Sequence, residues 1–248
     1  MTLLRLSGIE RTFDNGLQAL AGLSLDVAEG AFVSLVGPSG CGKSTALRIV
    51  AGLIAPTAGT VAWPHDRPEL GFVFQEPTLM PWSDVLTNVR LPLDLQVVAR
   101  REANARAETA LGRVGLGGFA RSYPRELSGG MKMRVSIARA LAAQPKLLLM
   151  DEPFAALDEF TRQALNDDLL KLWAEDGLTV IFVTHSVFES TYLSSRVVVM
   201  TPRPGRVAAE IDLPSPRGRH ADYRLSGEFA ENARQVSGAL RSTMEPRA

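Results

Sequence analysis

The chain has 248 residues, 46% of them hydrophobic, and its 27 Lys and Arg residues balance 27 Asp and Glu residues. This composition is typical of a globular protein with a sizeable core and excludes a disordered chain, and zero net charge gives no general attraction to nucleic acid or anionic lipid. The single cysteine, Cys41, excludes an intrachain disulfide, and no run of about 18 apolar residues predicts a membrane span. Because the N-terminus also has no basic and apolar leader pattern, we expect a cytoplasmic protein.

The first part of the chain predicts an antiparallel β element followed by a strand, a loop and a helix. Residues 3–9 and 17–27 have strand composition and are joined through a turn sequence, Asp14-Asn15-Gly16. An apolar run at residues 31–36 then leads into a glycine-rich loop, and residues 44–51 predict a helix that ends at Gly52. This order favours an α/β domain with a mainly parallel sheet.

Helical patterns dominate the middle of the chain and strands return after it. Strand signals fade between residues 88 and 143, which we interpret as a helical insert. Residues 147–150 and 179–184 predict strands on either side of a helix at about 159–174. Residues 197–200 predict the last core strand, which leads through a proline-rich turn into a short hairpin.

The end of the chain is more polar and predicts a helical extension. Its apolar residues recur at helical spacing: Phe229, Ala233, Val236 and Leu240. We therefore predict one domain over residues 1–213, with the helical subdomain inserted at about 88–143, and a C-terminal extension over 214–248.

The glycine-rich loop fits the Walker A phosphate-binding pattern. Its glycines let successive backbone N–H groups turn toward phosphate oxygens, and the positive end of the following helix favours the anion. In this pattern Lys43 reaches the β- and γ-phosphates of ATP and the Ser44 hydroxyl ligates Mg²⁺. A chance glycine turn would not need the strand before the loop and the helix after it. The loop consists of Gly37, Pro38, Ser39, Gly40, Cys41, Gly42, Lys43, Ser44 and Thr45.

Two acidic residues follow the apolar run at 147–150. Ligands collect at the carboxyl ends of parallel strands, where Asp151 can hold Mg²⁺ through water and Glu152 can activate the water that attacks the γ-phosphate. Taken alone, the Asp-Glu-Pro sequence fits an ordinary helix cap. Together with the Walker A loop it predicts a Walker B aspartate and a catalytic base.

Further motifs resemble those of the ATP-binding cassette (ABC) ATPases. Leu127-Ser128-Gly129-Gly130 at the start of a predicted helix resembles the family's signature motif. The family's order of motifs is also matched by an A-loop aromatic, a Q-loop glutamine, a D-loop aspartate and a switch histidine, which are Phe13, Gln75, Asp158 and His185. This resemblance implies the P-loop NTPase fold of ABC type, with an antiparallel β element and a helical subdomain.

The resemblance also implies residue roles and a dimer. In the family two cassettes pack head to tail, so that Ser128, Gly129 and Gly130 of one copy close over the ATP held by Lys43 of the other. Phe13 would stack on adenine, as the A-loop aromatic does.

The remaining implied roles concern hydrolysis. His185 would contact the γ-phosphate and position the water activated by Glu152. Gln75 would join the Mg²⁺ site to the neighbouring loop, and Asp158 would help to order the opposite site.

The loop after Gln75 resembles the nitrate, sulfonate and taurine branch of importer ATPases. Glu76-Pro77-Thr78-Leu79-Met80-Pro81-Trp82 combines prolines with apolar and aromatic side chains, which suits a docking surface for a membrane permease. A locally buried loop is the alternative interpretation. Met131 and the turn Arg203-Pro204-Gly205-Arg206 also resemble this branch, whereas the sequence from Thr184 to Ser190 resembles versions associated with pyrimidine or thiamine-precursor uptake.

The resemblance therefore implies an ATP-hydrolysing homodimer on the cytoplasmic face of the cell membrane. It would be attached through its permease and served indirectly by an extracytoplasmic solute-binding protein. A soluble ABC ATPase that acts on nucleic acid or ribosomes is the alternative, although the chain has neither a second cassette nor a coiled-coil insertion.

Overall fold

A computed structural model describes residues 1–244, in which nine strands and seven α-helices are found. The strands are β1 (Thr2–Thr12), β2 (Gln18–Ala28), β3 (Phe32–Val36), β4 (Ala58–Ala62), β5 (Leu70–Val73), β6 (Leu147–Asp151), β7 (Thr179–Thr184), β8 (Arg196–Met200) and β9 (Val207–Asp212). The helices are α1 (Lys43–Val50), α2 (Val85–Leu95), α3 (Arg100–Arg113), α4 (Gly129–Ala142), α5 (Glu159–Asp176), α6 (Val187–Leu193) and α7 (Gly227–Ser242). Within residues 1–244, no helix is long and apolar enough to cross a membrane.

The chain divides into two compact units. The first consists of Met1–Arg67 and the chain from Thr179 onward, and the second is Pro68–Leu178. The second unit contains the predicted helical subdomain at 88–143 together with β5, β6 and α5. The domain limits 1–213 and 214–248 remain a prediction, and residues 245–248 of the predicted extension lie outside the described part of the chain.

The first unit contains an antiparallel sheet and a mainly parallel one. β1 pairs antiparallel with β2 on one side and β4 on the other, which confirms the predicted antiparallel element. In the second sheet β3 lies between β7 and β8 and runs parallel to both, and β9 is antiparallel to β8. Every residue of β3 and β7 is buried, because parallel strands are covered on both faces. The sheet confirms the α/β class.

The C-terminal helix packs on the sheet of the first unit. Phe229, Ala233 and Val236 are buried along one face of α7, as their spacing predicts. Val236 joins a hydrophobic cluster with Val197 and Ile211 of β8 and β9. The helix begins after Ser226, whose hydroxyl accepts a hydrogen bond from the Phe229 amide at 3.1 Å. The extension therefore shares the core of this unit.

The second unit joins a short parallel sheet to three mutually packed helices. β5 and β6 are parallel, with Leu70 opposite Leu147 and Val73 opposite Met150. α2, α3 and α4 pack against one another. The predicted helical insert is thus present.

Candidate functional site

The phosphate loop between β3 and α1 has a backbone that requires glycine. Gly40 and Gly42 have positive φ values of 73° and 105°, which disfavour other residues. A Cβ on Gly42 would also lie 2.7 Å from the carbonyl oxygen of Ala19 and 2.7 Å from Leu20 Cδ2. No side chain caps α1 at Gly42, so a bound anion can accept from the first amides of the helix.

Lys43 is held inside this loop. Lys43 is only 4% exposed. Its Nζ donates to the carbonyl oxygens of Gly37 at 2.9 Å and Pro38 at 3.1 Å. The loop carbonyls therefore replace the water that a buried ammonium loses. Cys41 is also buried, at 1% exposed, which fits a small shielded residue and not an accessible reactive thiol.

A turn at residues 201–206, which we name the bracing turn, supports the phosphate loop. Arg203 Nε donates to the carbonyl oxygen of Gly40 at 2.9 Å. Gly205 is fixed to β2 by two backbone hydrogen bonds, from its amide to Ala19 and from the Ala21 amide to its carbonyl. A Cβ on Gly205 would lie 2.0 Å from the carbonyl oxygen of Cys41. The turn and β2 thus contact the loop directly.

His185 lies at the same sheet edge as the phosphate loop. β3 and β7 are parallel neighbours in which Val36 pairs with Thr184, so the residues that follow them, Gly37 and His185, emerge side by side. The His185 side chain is exposed. In the first unit the predicted switch histidine therefore lies beside the phosphate loop, at the carboxyl edge of the parallel strands. Ligands bind at this edge in parallel sheets.

Phe13 lies at the turn between β1 and β2. It is half-buried, and the guanidinium carbon of Arg11 is 4.9 Å from the centre of its ring. The Phe13 amide donates to the carbonyl of Leu17 across the turn. Arg11 thus provides a cation–π contact for the ring.

The second unit gathers Gln75, Asp151 and Glu152 at one edge of its sheet. β5 and β6 are parallel with Val73 opposite Met150, so Gln75 and the acidic pair follow neighbouring strand ends. Asp151 is buried at 6% exposed. Glu152 has a φ of 48°, an uncommon value for a residue with a side chain. Such backbone strain is concentrated at functional sites.

The signature residues lie at the start of α4, next to the start of α5. Ser128 caps α4, its Oγ accepting from the Met131 amide at 3.3 Å, and Gly129 is exposed. A Cβ on Gly130 would lie 2.6 Å from Thr161 Cγ2, so a glycine allows the two helix starts to approach.

Asp158 caps α5. It accepts from the Thr161 amide at 3.0 Å and the Thr161 hydroxyl at 2.7 Å. These two bonds stabilise the carboxylate and lower the pKa of Asp158. Asp158 is thus the N-cap residue of α5, which is compatible with a role at a nucleotide site.

The backbone of the loop at residues 76–82 is held by hydrogen bonds, whereas the side chain of its last residue, Trp82, is exposed. The buried Asn88 side chain accepts from the Met80 amide at 2.7 Å and donates to the Met80 carbonyl at 3.1 Å. Arg139 donates to the carbonyl oxygens of Pro77 and Thr78, both at 2.9 Å. Trp82 itself is 76% exposed, so the buried-loop alternative does not describe it.

The comparisons with known sequences agree on one family. Residues 20–155 match the ABC transporter family. An uncharacterized ABC transporter ATP-binding protein of Methanocaldococcus jannaschii is 46% identical over 96% of this chain and 91% of the relative. A taurine import ATP-binding protein of Rhizobium johnstonii is 43% identical over 93% of this chain and 92% of the relative. An aliphatic sulfonates import ATP-binding protein of Xanthomonas axonopodis pv. citri is 47% identical over 82% of this chain and 84% of the relative.

Solved structures show the same fold. A dimeric ATP-binding cassette in a post-hydrolysis state, bound to ADP and Pi, is 36% identical with a TM-score of 0.76, over 86% of this chain and all of the other. The cbiO1 protein of Clostridium perfringens, part of an ABC transporter complex, is 25% identical with a TM-score of 0.78 over 97% of this chain and 96% of that one. These similarities confirm the predicted fold of ABC type.

Proposed function

We propose, from the premise that this chain belongs to the ABC transporter family, that it energises solute import through a separate membrane permease. The chain is an ABC ATPase. The importer assignment rests on one observation. Over most of its length this chain is 43% and 47% identical to relatives named as taurine and aliphatic sulfonates import proteins. The solute we propose is a small one of this kind, nitrate, a sulfonate or taurine, with a pyrimidine or thiamine precursor as the second candidate.

The first unit supplies residues for binding the nucleotide. We assign Lys43 and the backbone N–H groups of the phosphate loop, residues 37–45 apart from Pro38, to the triphosphate, since a buried ammonium already lies inside that loop. Phe13 is assigned to the adenine ring. His185, at the neighbouring strand end, is assigned to the γ-phosphate and the attacking water.

The second unit supplies residues for hydrolysis. We assign Glu152 as the base that takes a proton from the attacking water. Gln75 follows the neighbouring strand and is assigned to hold that water and to contact the adjoining loop.

Mg²⁺ fits the chemistry of the residues assigned to it. The Ser44 hydroxyl, the Gln75 amide and the Asp151 carboxylate are the hard oxygen donors that this ion prefers. Within residues 1–244 there is no cluster of three or more His, Cys, Asp or Glu side chains that could hold a metal ion. When bound, Mg²⁺ neutralises charge on the transferred phosphoryl group.

We further propose a head-to-tail homodimer. Ser128 and Gly129 are exposed at the N-terminus of the 14-residue helix α4, which suits a second contact to phosphate. With Asp158 close by, this surface would close over the ATP of a second copy. Its support is the similar cassette solved as a dimer.

The permease contact is assigned to the loop at residues 76–82. Asn88 and Arg139 hold the loop backbone while Trp82 is exposed, and a rigid aromatic anchor of this kind is typical of interface hot spots. The protein would then work at the cytoplasmic face of the cell membrane, with only an indirect link to an extracytoplasmic solute-binding protein.

Affinity purification of the full chain from its native membranes tests this proposal. A polytopic membrane protein identified by mass spectrometry, together with ATP-dependent uptake of labelled taurine, alkanesulfonate, nitrate or pyrimidine, is the expected result. Ribosomal proteins or nucleic acid in place of a permease would instead support the alternative of a soluble ABC ATPase, which the import relatives do not favour.

A further inference from the structure

The turn that carries His185 has an unusual hydrogen-bond arrangement. Ser186 caps α6, its Oγ accepting from the Glu189 amide at 3.2 Å. In an ordinary capping box the glutamate three residues later would bond back to the amide of the cap residue. Here the Thr184 hydroxyl lies between them: it accepts from the Ser186 amide at 3.0 Å and donates to Glu189 Oε2 at 2.5 Å.

These hydrogen bonds among Thr184, Ser186 and Glu189, which we name the Thr184 relay, involve the residues on both sides of His185 in the chain. Thr184 precedes the histidine and Ser186 follows it, and both are tied to the same carboxylate through one hydroxyl. The His185 side chain is exposed, whereas Thr184 and Glu189 are only 2% and 8% exposed. A hydrogen bond to a carboxylate in such a buried place is stronger than a neutral one at the surface.

The relay is also anchored to the phosphate site. Thr184 is the last residue of β7 and pairs with Val36, the last residue before the phosphate loop. The position of the His185 backbone relative to Gly37 is therefore set by the sheet on one side and by Glu189 of α6 on the other.

We propose that Thr184 and Glu189 are positioning residues that hold His185 in its working orientation through the Thr184 hydroxyl. The inference rests on the proposed role of His185 at the γ-phosphate. Neither residue would touch ATP itself. Their loss would thus impair the hydrolytic step and leave nucleotide binding intact.

Matched variants of one side chain test this directly. Thr184→Val keeps the shape but removes the hydroxyl, and we expect kcat to fall by about 10-fold or more with KM for ATP changed less than about twofold, as for an interaction made in the transition state. Thr184→Ser keeps the hydroxyl and should restore kcat to within about twofold of the parental value. Glu189→Gln keeps a weaker, neutral acceptor and should give an intermediate kcat, which decides the matter if Thr184→Val does not fold.

The NMR resonance of the His185 side chain provides a second measurement. It would not change if Thr184 had a purely structural role. The chain has three histidines, at 65, 185 and 220, and His185→Ala identifies the resonance of His185. We expect Thr184→Val to shift that resonance alone. Parental kcat in Thr184→Val and Glu189→Gln, or equal loss in Thr184→Ser and Thr184→Val, would overturn the inference. Parental hydrolysis by His185→Ala would instead refute the proposed role of His185, so the two failures are distinguishable.

Discussion

Gly205 in the bracing turn offers a steric test of how the phosphate loop is held. An added Cβ would lie 2.0 Å from the Cys41 carbonyl oxygen, whereas ordinary contact begins at 3.4 Å, so the atoms must separate by about 1.4 Å. Two backbone bonds to Ala19 and Ala21 hold the turn to β2, so the phosphate loop has to move. A misplacement of about 1 Å costs roughly 100-fold in rate, or about 2.7 kcal/mol of activation free energy.

We therefore expect Gly205→Ala to lower kcat/KM for ATP hydrolysis by about 100-fold and to cost about 1–3 kcal/mol of stability through overpacking. Phosphate release at varied ATP and thermal unfolding measure the two effects. Gly238→Ala in α7 is the matched control, since nothing lies within 4 Å of its added Cβ, and it should retain parental kinetics. Parental kcat/KM in Gly205→Ala would refute the reasoning, because the turn would then yield without disturbing the loop.

Three further variants probe the nucleotide site, the docking loop and the C-terminal extension. Lys43→Ala should abolish tight ATP binding in equilibrium titration, because it removes the charge held in the phosphate loop; unchanged affinity would disprove the Walker A assignment. Trp82→Ala should weaken co-purification with the permease without changing ATP affinity or melting temperature, and Leu95→Ala, equally exposed at 76%, is its control; a loss of nucleotide binding would argue against a docking role. Arg219→Ala removes a guanidinium that donates to the carbonyls of Thr191 and Tyr192 at the end of α6. It should destabilise the protein by about 1–3 kcal/mol in chemical denaturation, and unchanged stability would show that water replaces these bonds.

The α/β class and the main elements were predictable because their signals are local and strong. The apolar runs of β3, β6 and β7 are buried throughout, and buried parallel strands leave continuous hydrophobic segments in a sequence. The helix of the extension also left a strong local signal, because its buried residues Phe229, Ala233 and Val236 recur at helical spacing.

The strands β4 and β5 were not predicted, for physical reasons. Four of the five residues of β4, Ala58–Ala62, are exposed, so no apolar pattern marks it, and its place is set by pairing with β1. β5 has only four residues, one of them Gly71, and its pairing with β6 supplies what its own propensity does not. α6 has seven residues, too few for a clear helical period.

The motifs of the candidate site could be identified in the sequence, but the residues that hold these motifs in place could not. The role of Gly205 depends on a contact with Cys41, 164 residues away, which no local pattern reveals. The Thr184 relay left a partial signal, since Ser186 and Glu189 have the spacing of a capping box. Only the structure shows that the carboxylate bonds to the Thr184 hydroxyl, because this depends on where the side chain points.

Substitution of the proposed base tests the central claim, that this chain hydrolyses ATP through Glu152. Glu152→Gln keeps the size of the side chain but cannot accept the proton of the attacking water, so phosphate release at saturating ATP and Mg²⁺ should fall by about 100-fold or more. ATP should still bind, and light scattering should show a dimer that persists with ATP and not without it. Phosphate release at the parental rate would contradict the account, since Glu152 would then not be the base.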